Sequence, residues 1–210
     1  MDSETLVDEV RGSKSTELDR LRSSKSLLAT TKGNLNSDDI LKATANSEYS
    51  AYKTFERWAE TEEREGMKQV FKEVAEEERD HFNRVSERLD EDFEPDEPVG
   101  PIHEYLRDLE NTHERVGAGM IGRTLVSDAT LSQTIAFYIG KADTKKTDFF
   151  RDLREETEEM LEEGKGVLDE VCQTDEDWER AREGAEKVIG VAYDDVETLE
   201  GMGVNPKPVC

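Results

Sequence analysis

Cysteine and proline are scarce in this chain of 210 residues, which contains two cysteines and five prolines. Cys172 and Cys210 stand far apart, so the sequence predicts neither a pair of metal-binding cysteines nor a disulfide framework. All five prolines fall in residues 95–101 and 206–208. Because proline interrupts helices, nearly all of the remaining chain is free to be helical. No segment shows the two-residue alternation of a strand, so the sequence predicts an all-α protein.

Long apolar runs and basic patches are also missing. No segment approaches the roughly 20 apolar residues that span a bilayer, and the acidic start of the chain, residues 1–4, does not resemble a signal peptide. The most basic segment, residues 11–25, is diluted by Glu17 and Asp19, whereas nucleic-acid binding needs a basic surface that neutralises phosphates. We therefore expect a reduced, cytoplasmic protein with no membrane and no nucleic-acid partner.

Acidic residues, by contrast, are abundant. The chain has 52 Asp and Glu against 28 Lys and Arg, which gives a formal net charge of −24. The acids are spread along the whole chain between regularly spaced apolar residues, as on the solvated faces of a folded helical protein. At molar salt the Debye length is about 3 Å, so repulsion between surface carboxylates is screened. This pattern predicts a soluble, acid-rich protein of an extreme halophile.

The hydrophobic periodicity divides the chain into four parts. Residues 1–35 are predicted to form an N-terminal helix, which Gly12 and Ser13 interrupt and Gly33 ends. A C-terminal helix in residues 174–200 is expected to pack on a central bundle, and residues 201–210 form a tail. The central bundle, residues 36–173, is predicted to contain four long helices over about residues 38–64, 66–89, 114–140 and 144–172.

Glycine and asparagine mark local features of the predicted bundle. Asn36 or Ser37 is expected to cap the first long helix. Gly66 is expected to make a tight connection, so that the first two long helices form an antiparallel hairpin. A group of glycines weakens the third long helix locally or lets a neighbour approach closely: Gly117, Gly119 and Gly122.

Three polar side chains lie inside apolar helix faces, where an unpaired charge is costly to bury. Glu78 and His81 are three residues apart in the second long helix, so both project from one face. Glu48 occupies the same kind of position in the first long helix. Di-iron and di-manganese carboxylate bundles build their core from Glu residues and Glu-x-x-His motifs on facing helices. The pattern therefore predicts a metal site for iron, manganese or zinc.

The same residues allow an interpretation without metal. Glu-x-x-His arises often by chance in a glutamate-rich chain, and Glu78 and His81 can form a hydrogen-bonded pair in a metal-free core, closed by Tyr52. The other two histidines, His103 and His113, have no such pattern around them. They are predicted to be ordinary surface residues.

Two segments give the chain a resemblance to a known family: residues 47–49 (Ser-Glu-Tyr) and residues 76–82 (Glu-Glu-Glu-Arg-Asp-His-Phe). They are similar to the first two helices of rubrerythrin-like proteins of the ferritin superfamily, here of haloarchaeal type. The resemblance covers about residues 38–172 and implies a ferritin-like antiparallel four-helix bundle. It also implies that Glu48 is a terminal metal ligand, Glu78 a bridging ligand and His81 a terminal nitrogen ligand.

The second half of the implied site departs from the family's pattern. Asp128 is the nearest acid on the apolar face of the third long helix, and Glu156 is the best candidate on the fourth. Position 159 holds Glu where a second Glu-x-x-His motif would place histidine. The chain also has no Cys-x-x-Cys pair, so we expect it to lack the rubredoxin-like module of full-length rubrerythrins. We then expect no internal electron donor for peroxidase chemistry of that type.

The resemblance implies a role in iron or reactive-oxygen handling, with Glu48, Glu78 and His81 on one metal ion and Asp128 and Glu156 on a second. Iron is the expected cofactor, with manganese or zinc as alternatives, and no catalytic residue is assigned. The alternative function is a metal-free helical scaffold or regulator that keeps the fold. A homodimer is a further expectation, and a protein partner would bind the N-terminal helix or the C-terminal tail.

Overall fold

The computed structural model describes residues 1–91, 93–95 and 100–201. These residues are mostly helical and include no strand, which confirms the all-α class. No helix among them is both long and apolar enough to cross a membrane. The α-helices are α1 Ser3–Ser13, α2 Ser15–Leu21, α3 Ser24–Thr30, α4 Ser37–Thr61, α5 Glu65–Ser86, α6 Pro101–Arg107, α7 Thr112–Arg115, α8 Arg123–Gly140, α9 Thr144–Val171 and α10 Asp175–Gly201.

The chain divides into two compact units. Asn34–Asp108 forms the hairpin unit, and Met1–Gly33 together with Leu109–Cys210 forms the discontinuous unit. The first two long helices of the predicted bundle belong to the hairpin unit and the other two to the discontinuous unit. A single bundle over residues 36–173 therefore stays a prediction. Residues 202–210 of the predicted tail lie outside the described residues.

The hairpin unit is built on α4 and α5, which pack against each other in antiparallel directions. Near the connection, Phe55 and Trp58 of α4 meet Phe71 of α5, with ring centroids 6.1 and 5.4 Å apart. All three rings are fully buried. Replacing a buried ring of this kind by alanine typically costs about 3–5 kcal/mol of stability, so this aromatic cluster fixes the register of the two helices.

The connection between α4 and α5 consists of residues 62–64, and a carboxylate organises it. Buried Glu62 accepts hydrogen bonds through Oε1 from the backbone N–H groups of the next two residues, at 3.0 and 3.1 Å. These bonds pair the backbone donors of the connection itself, just before α5 begins at Glu65. Gly66 lies inside α5, so the prediction that it makes the connection is wrong.

Of the capping residues predicted before α4, Asn36 is confirmed, whereas the C-cap of α3 is Thr31, two residues before Gly33. Gly33 has a φ of 86°, and its N–H donates to the carbonyl of Leu28 at 2.9 Å, as in a left-handed helix end. Asn36 begins the next helix, because its Oδ1 accepts the N–H of Asp39 at 2.9 Å.

The short helix α6 is fastened to α4 through the hydroxyl of Thr54. That hydroxyl donates its only proton to the carbonyl of Ser50 at 2.7 Å. Its oxygen therefore accepts from Nδ1 of His103 at 3.1 Å and from Nε of Arg107 at 3.2 Å. His103 is only 6% exposed, so the prediction of a surface histidine is wrong. Its partner lies far earlier in the chain, where no local pattern reveals it.

Three short helices, α1 to α3, replace the single N-terminal helix predicted for residues 1–35, so that prediction is wrong. The first break falls at Lys14, directly after the expected interruption at Gly12 and Ser13. The start of α1 is held by Asp169 of α9. Its carboxylate accepts both the N–H and the hydroxyl of Ser3, at 3.0 and 2.7 Å.

A π-helical stretch, Val116–Gly122, joins α7 and α8 into one continuous helix. A Cβ placed on Gly117 would lie 1.9 Å from the carbonyl oxygen of Ala181 in α10. One on Gly122 would lie 2.5 Å from the carbonyl oxygen of Ala185. Both predicted effects of the glycines are present, because the helix departs from α geometry and a neighbouring backbone packs directly against it.

His113 of α7 is buried at the connection between α9 and α10, so the prediction that it is a surface residue is wrong. Its Nε2 donates to the carbonyl of Val171 at 3.2 Å, and its Nδ1 lies 3.5 Å from Oδ1 of Asp177. The Asp177 carboxylate also accepts the backbone N–H groups of Gln173 and Thr174, at 3.0 and 2.9 Å. The Asp177 carboxylate thus fixes the turn and lies beside the buried histidine.

Candidate metal centre

Two of the predicted metal ligands lie on one buried face of α5. Glu78 is 1% exposed and His81 is 5% exposed, whereas Arg79 and Asp80 between them are exposed. Residues three apart share a helix face, so the Glu-x-x-His spacing places both side chains on the side that packs against α4. The apolar residues of the same face are buried with them: Phe71, Val74 and Val85.

Glu48 adds a third group from α4. Its side chain is buried, and its Oε2 lies 3.9 Å from Nδ1 of His81. One ligand atom each from Glu48, Glu78 and His81 lies within 4.8 Å of the other two. We call these three residues the Glu–Glu–His cluster. In the described part of the chain, it is the one group of this kind found among His, Cys, Asp and Glu.

The dimensions of the cluster fit one metal ion. Oxygen and nitrogen ligands bind an ion such as zinc at about 2.0–2.2 Å, so two donors on one ion lie at most about 4.4 Å apart. The 3.9 Å between Glu48 and His81 satisfies this limit. The bound of 4.8 Å on the remaining pairs exceeds it by no more than about 0.4 Å. Rotation about the side-chain bonds of a glutamate covers such a difference.

The charges and ligand types of the cluster also suit a cation. The cluster sets two carboxyl groups beside one imidazole. A divalent ion would offset both carboxylates in an environment where charge is costly to bury. Carboxylate oxygen and imidazole nitrogen are ligands found on iron, manganese and zinc.

Aromatic rings lie next to the cluster along both helices. Tyr49 follows Glu48 in α4, and Phe82 follows His81 in α5. The rings of Tyr49 and Phe82 contact each other across the two helices, with centroids 5.2 Å apart. Tyr52, one turn further along α4, lies 6.0 Å from Tyr49 in an edge-on arrangement. Tyr49, Tyr52 and Phe82 thus form a group of half-buried rings on the two helices that carry the cluster.

Tyr52 does not close the cluster as the metal-free interpretation expects. Its hydroxyl donates to Oε1 of Glu56 at 3.0 Å. Burial and this hydrogen bond raise the pKa of Tyr52 above its ordinary value. A hydrogen bond from Lys53 lowers the pKa of Glu56. At neutral pH a neutral phenol therefore donates to an ionised carboxylate.

The other two predicted ligands, Asp128 and Glu156, belong to the discontinuous unit. Asp128 accepts from Nε of Arg154 at 2.6 Å through Oδ1 and from Arg22 at 3.2 Å through Oδ2. The hydrogen bond to Asp128 raises the pKa of Arg154. Glu156 is half-buried on α9. The ligand roles of both acids stay predictions, because they and the cluster lie in different units.

Cys172 is a buried free thiol at the end of α9, in the discontinuous unit. Cys210 lies outside the described residues.

One comparison with known proteins gives a match. The family model described as Rubrerythrin matches residues 39–118. This segment is less than half of the chain, but it contains Glu48, Glu78 and His81 and ends before Asp128 and Glu156. Searches of curated proteins and of solved structures found no match. The match confirms the resemblance to rubrerythrin over residues 39–118. The haloarchaeal type and the absence of the rubredoxin-like module stay predictions. The all-helical fold agrees with a ferritin-like architecture.

Proposed function

We propose, from the premise that this chain is a rubrerythrin-like protein of ferritin-like helical architecture, that its Glu–Glu–His cluster binds a metal ion used in iron or reactive-oxygen handling. The observation that carries the proposal is the joint burial of Glu48, Glu78 and His81 with ligand atoms within 4.8 Å of one another. Iron is the first expectation, and manganese and zinc suit the same ligands.

Each part of the hairpin unit has a role in this proposal. Glu48 holds the ion from α4, and Glu78 and His81 hold it from α5, so metal binding ties the two helices together. The apolar side chains around the cluster limit the access of water, which strengthens the attraction between carboxylates and cation. When bound, iron or manganese would supply one-electron redox chemistry and polarise an oxygen-containing substrate.

The test is elemental analysis of protein purified in concentrated potassium chloride and reconstituted with Fe²⁺. We expect near-stoichiometric metal in the wild-type protein and its loss in Glu78→Gln and His81→Ala. Glu76→Gln is the matched control, because Glu76 is an exposed acid on the same helix. Wild-type protein that refuses Fe²⁺, Mn²⁺ and Zn²⁺ would contradict the proposal.

The same elemental analysis tests whether the protein binds a second metal ion. The cluster offers three protein ligands, which suffice for one ion, and Asp128 already accepts hydrogen bonds from Arg22 and Arg154. We therefore expect one equivalent of metal. Two equivalents that fall to one in Asp128→Asn or Glu156→Gln would instead support the second site that the resemblance implies.

A metal-free scaffold or regulator is the second candidate function. The pairing of Asp128 with Arg22 and Arg154 favours it, since a predicted ligand of the second ion is held by two cations. This function requires a wild-type protein that contains no metal even after reconstitution. Variants of Glu78 would then change the stability of the protein and leave its partner binding intact.

A further inference from the structure

We propose that the exposed end of α8 is the surface through which a second copy of this chain binds. The first observation is a local lack of acids. Residues 129–142, which form the last part of α8 and the turn after it, contain no Asp or Glu, although the whole chain contains 52 among 210 residues. This contact involves no metal ligand, so it is independent of the proposed function.

Several side chains of this segment lie at the surface of the protein. Ile139 is 55% exposed, more than any other large apolar side chain in the described part of the molecule. Ala136 and Gly140 are also exposed, and Ser132 and Gln133 are half-buried. These five residues recur at intervals of three or four positions, so they share one side of α8. We call them the acid-free face.

A second segment without acids packs against α8. Residues 20–37 contain no Asp or Glu, and α3, which lies within them, contacts α8. Lys25 of α3 is exposed, and so is Lys141, directly after the acid-free face. The surface that α3 and the end of α8 form is therefore neutral to basic on a chain whose net charge is −24.

Other long helices present acids to solvent, for example Asp80 on α5, Glu158 on α9 and Glu183 on α10. A carboxylate placed against Ile139 would lose its water without gaining a partner, which is unfavourable. The surface that covers the acid-free face must therefore lack acids itself, as the buried centres of protein interfaces usually do. The end of α8 in a second copy meets this requirement.

A two-fold axis brings the same surface of both copies together. With the axis near Ala136, in the middle of the acid-free face, Ile139 packs against the partner's Gln133, and the reverse contact forms at the same time. Small side chains at the crossing, including Ala136 and Gly140, let the two helices approach closely. Lys141 then lies at the edge of the contact, where an interface tolerates charge.

The charge of the chain determines how this contact depends on salt. Two copies that each carry −24 repel one another, and salt screens this repulsion. The burial of Ile139 and Ala136 does not depend on attraction between charges. We therefore expect the dimer to be tighter in concentrated salt. A contact between the lysines of one copy and an acidic helix of another would show the opposite dependence.

The experiment is sedimentation equilibrium of the full chain under reducing conditions, in 0.1 and 2 M potassium chloride. We expect a monomer–dimer equilibrium with the lower dissociation constant at 2 M. Ile139→Glu and Ala136→Glu should each raise that constant at least about tenfold, because each places a carboxylate from both copies in the contact. Far-UV circular dichroism checks that both variants keep their helices.

Gln69→Glu is the matched control for the added charge. Gln69 is an exposed neutral residue of α5, outside the acid-free face, and its replacement adds the same charge to each copy. This variant should keep the dissociation constant of the wild-type protein.

Cross-linking locates the contact without weakening it. Ala136→Cys, in a Cys210→Ser background, should give a covalent dimer with a short bismaleimide, because the two copies meet near this residue. Gln69→Cys in the same background is the control and should stay monomeric on a denaturing gel. The remaining thiol, Cys172, is buried.

Each outcome decides for or against the contact. A wild-type protein that is monomeric at both salt concentrations overturns the proposal. A dimer that survives Ile139→Glu and Ala136→Glu, or that weakens as salt rises, binds through another surface and also overturns it. All these measurements are made without added metal, so a failure of the proposed function leaves them unaffected.

Discussion

Glu48 of α4 and His81 of α5 approach to 3.9 Å between Oε2 and Nδ1 within the buried interface of the hairpin unit. Together with Glu78, they place three polar groups at positions where apolar residues would give more stability. The aromatic cluster around Trp58, nearer the connection, supplies the apolar packing that holds the two helices together. The aromatic cluster near the connection thus stabilises the packing of α4 and α5, whereas the Glu–Glu–His cluster further along the two helices is suited to binding an ion.

Metal binding should raise the thermal stability of the wild-type protein, since a ligand that binds only the folded state stabilises it. At a free metal concentration 100 times the dissociation constant, the gain is about 2.7 kcal/mol. For a chain of this length, that corresponds to a rise in Tm of roughly 5–10 °C. Differential scanning calorimetry with and without Fe²⁺, under anaerobic conditions, measures it.

The variant Glu78→Gln should lose the stabilisation by metal that is expected of the wild-type protein. Its Tm should not rise with Fe²⁺, because an amide replaces one of the carboxylate ligands. The exposed control Glu76→Gln should behave like the wild-type protein in both conditions. An equal rise in Tm for Glu78→Gln and the wild-type protein would show that the metal binds elsewhere.

The contact between the π-helical stretch and α10 predicts opposite effects for two glycine substitutions. Gly117→Ala should destabilise the protein by about 1–3 kcal/mol or more, because its Cβ would lie 1.9 Å from the carbonyl oxygen of Ala181 and a backbone must move. Gly190→Ala, in the interior of α10 with nothing within 4 Å of the added carbon, should instead stabilise by up to about 1 kcal/mol.

Chemical denaturation in a fixed high concentration of potassium chloride compares the two glycine variants with the wild-type protein. A destabilised Gly190→Ala would mean that α10 is not helical at this point. A neutral Gly117→Ala would mean that the two backbones do not pack together as described.

The long helices and the Glu–Glu–His cluster were predictable because their signals are local. Glu48, Glu78 and His81 each interrupt an apolar stripe of helical period, and a charge at such a position requires a partner or a ligand. Gly33 and Asn36 follow rules of helix ends that depend on a few neighbouring residues. Such features can be predicted from the sequence of each helix taken by itself.

The burial of His103 and His113 was not predictable, because their partners are remote in the sequence. Thr54 precedes His103 by 49 residues, and the carbonyl of Val171 follows His113 by 58 residues. In the same way, Arg22 donates a hydrogen bond to Asp128 but lies 106 residues before it, at the end of α2. These contacts depend on how helices pack, and helical periodicity specifies only which face is apolar.

The connection between α9 and α10 should weaken in acid through Asp177. Backbone hydrogen bonds from Gln173 and Thr174, a side-chain bond to Thr174 and the nearby His113 all hold the pKa of Asp177 below its ordinary value of 3.8. A carboxyl whose pKa is lowered on folding contributes stability above its unfolded pKa and loses it as the pH falls through the folded pKa. Asp177 should therefore stabilise the protein fully near pH 5 and progressively less below 3.8.

The comparison of wild type with Asp177→Asn, over pH 5 to 3, isolates this effect from the titration of the other acids. The difference in unfolding free energy should favour the wild-type protein near pH 5 and shrink as the pH falls. The same series with Asp175→Asn, an exposed acid in the first turn of the same helix, is the control. A difference that does not change with pH would show that the Asp177 carboxylate is not specifically stabilised.

Screening of the net charge of −24 should make the stability of this protein rise with salt. The Debye length falls from about 10 Å at 0.1 M to about 3 Å at 1 M, so repulsion among exposed carboxylates declines steeply over this range. We expect Tm to rise between 0.1 and 2 M potassium chloride, with most of the rise below about 1 M. Sucrose at matched osmolality is the control, because it favours compact states without screening charge. If sucrose reproduces the rise, or if Tm is the same at both salt concentrations, the acidic surface is not an adaptation to high salt.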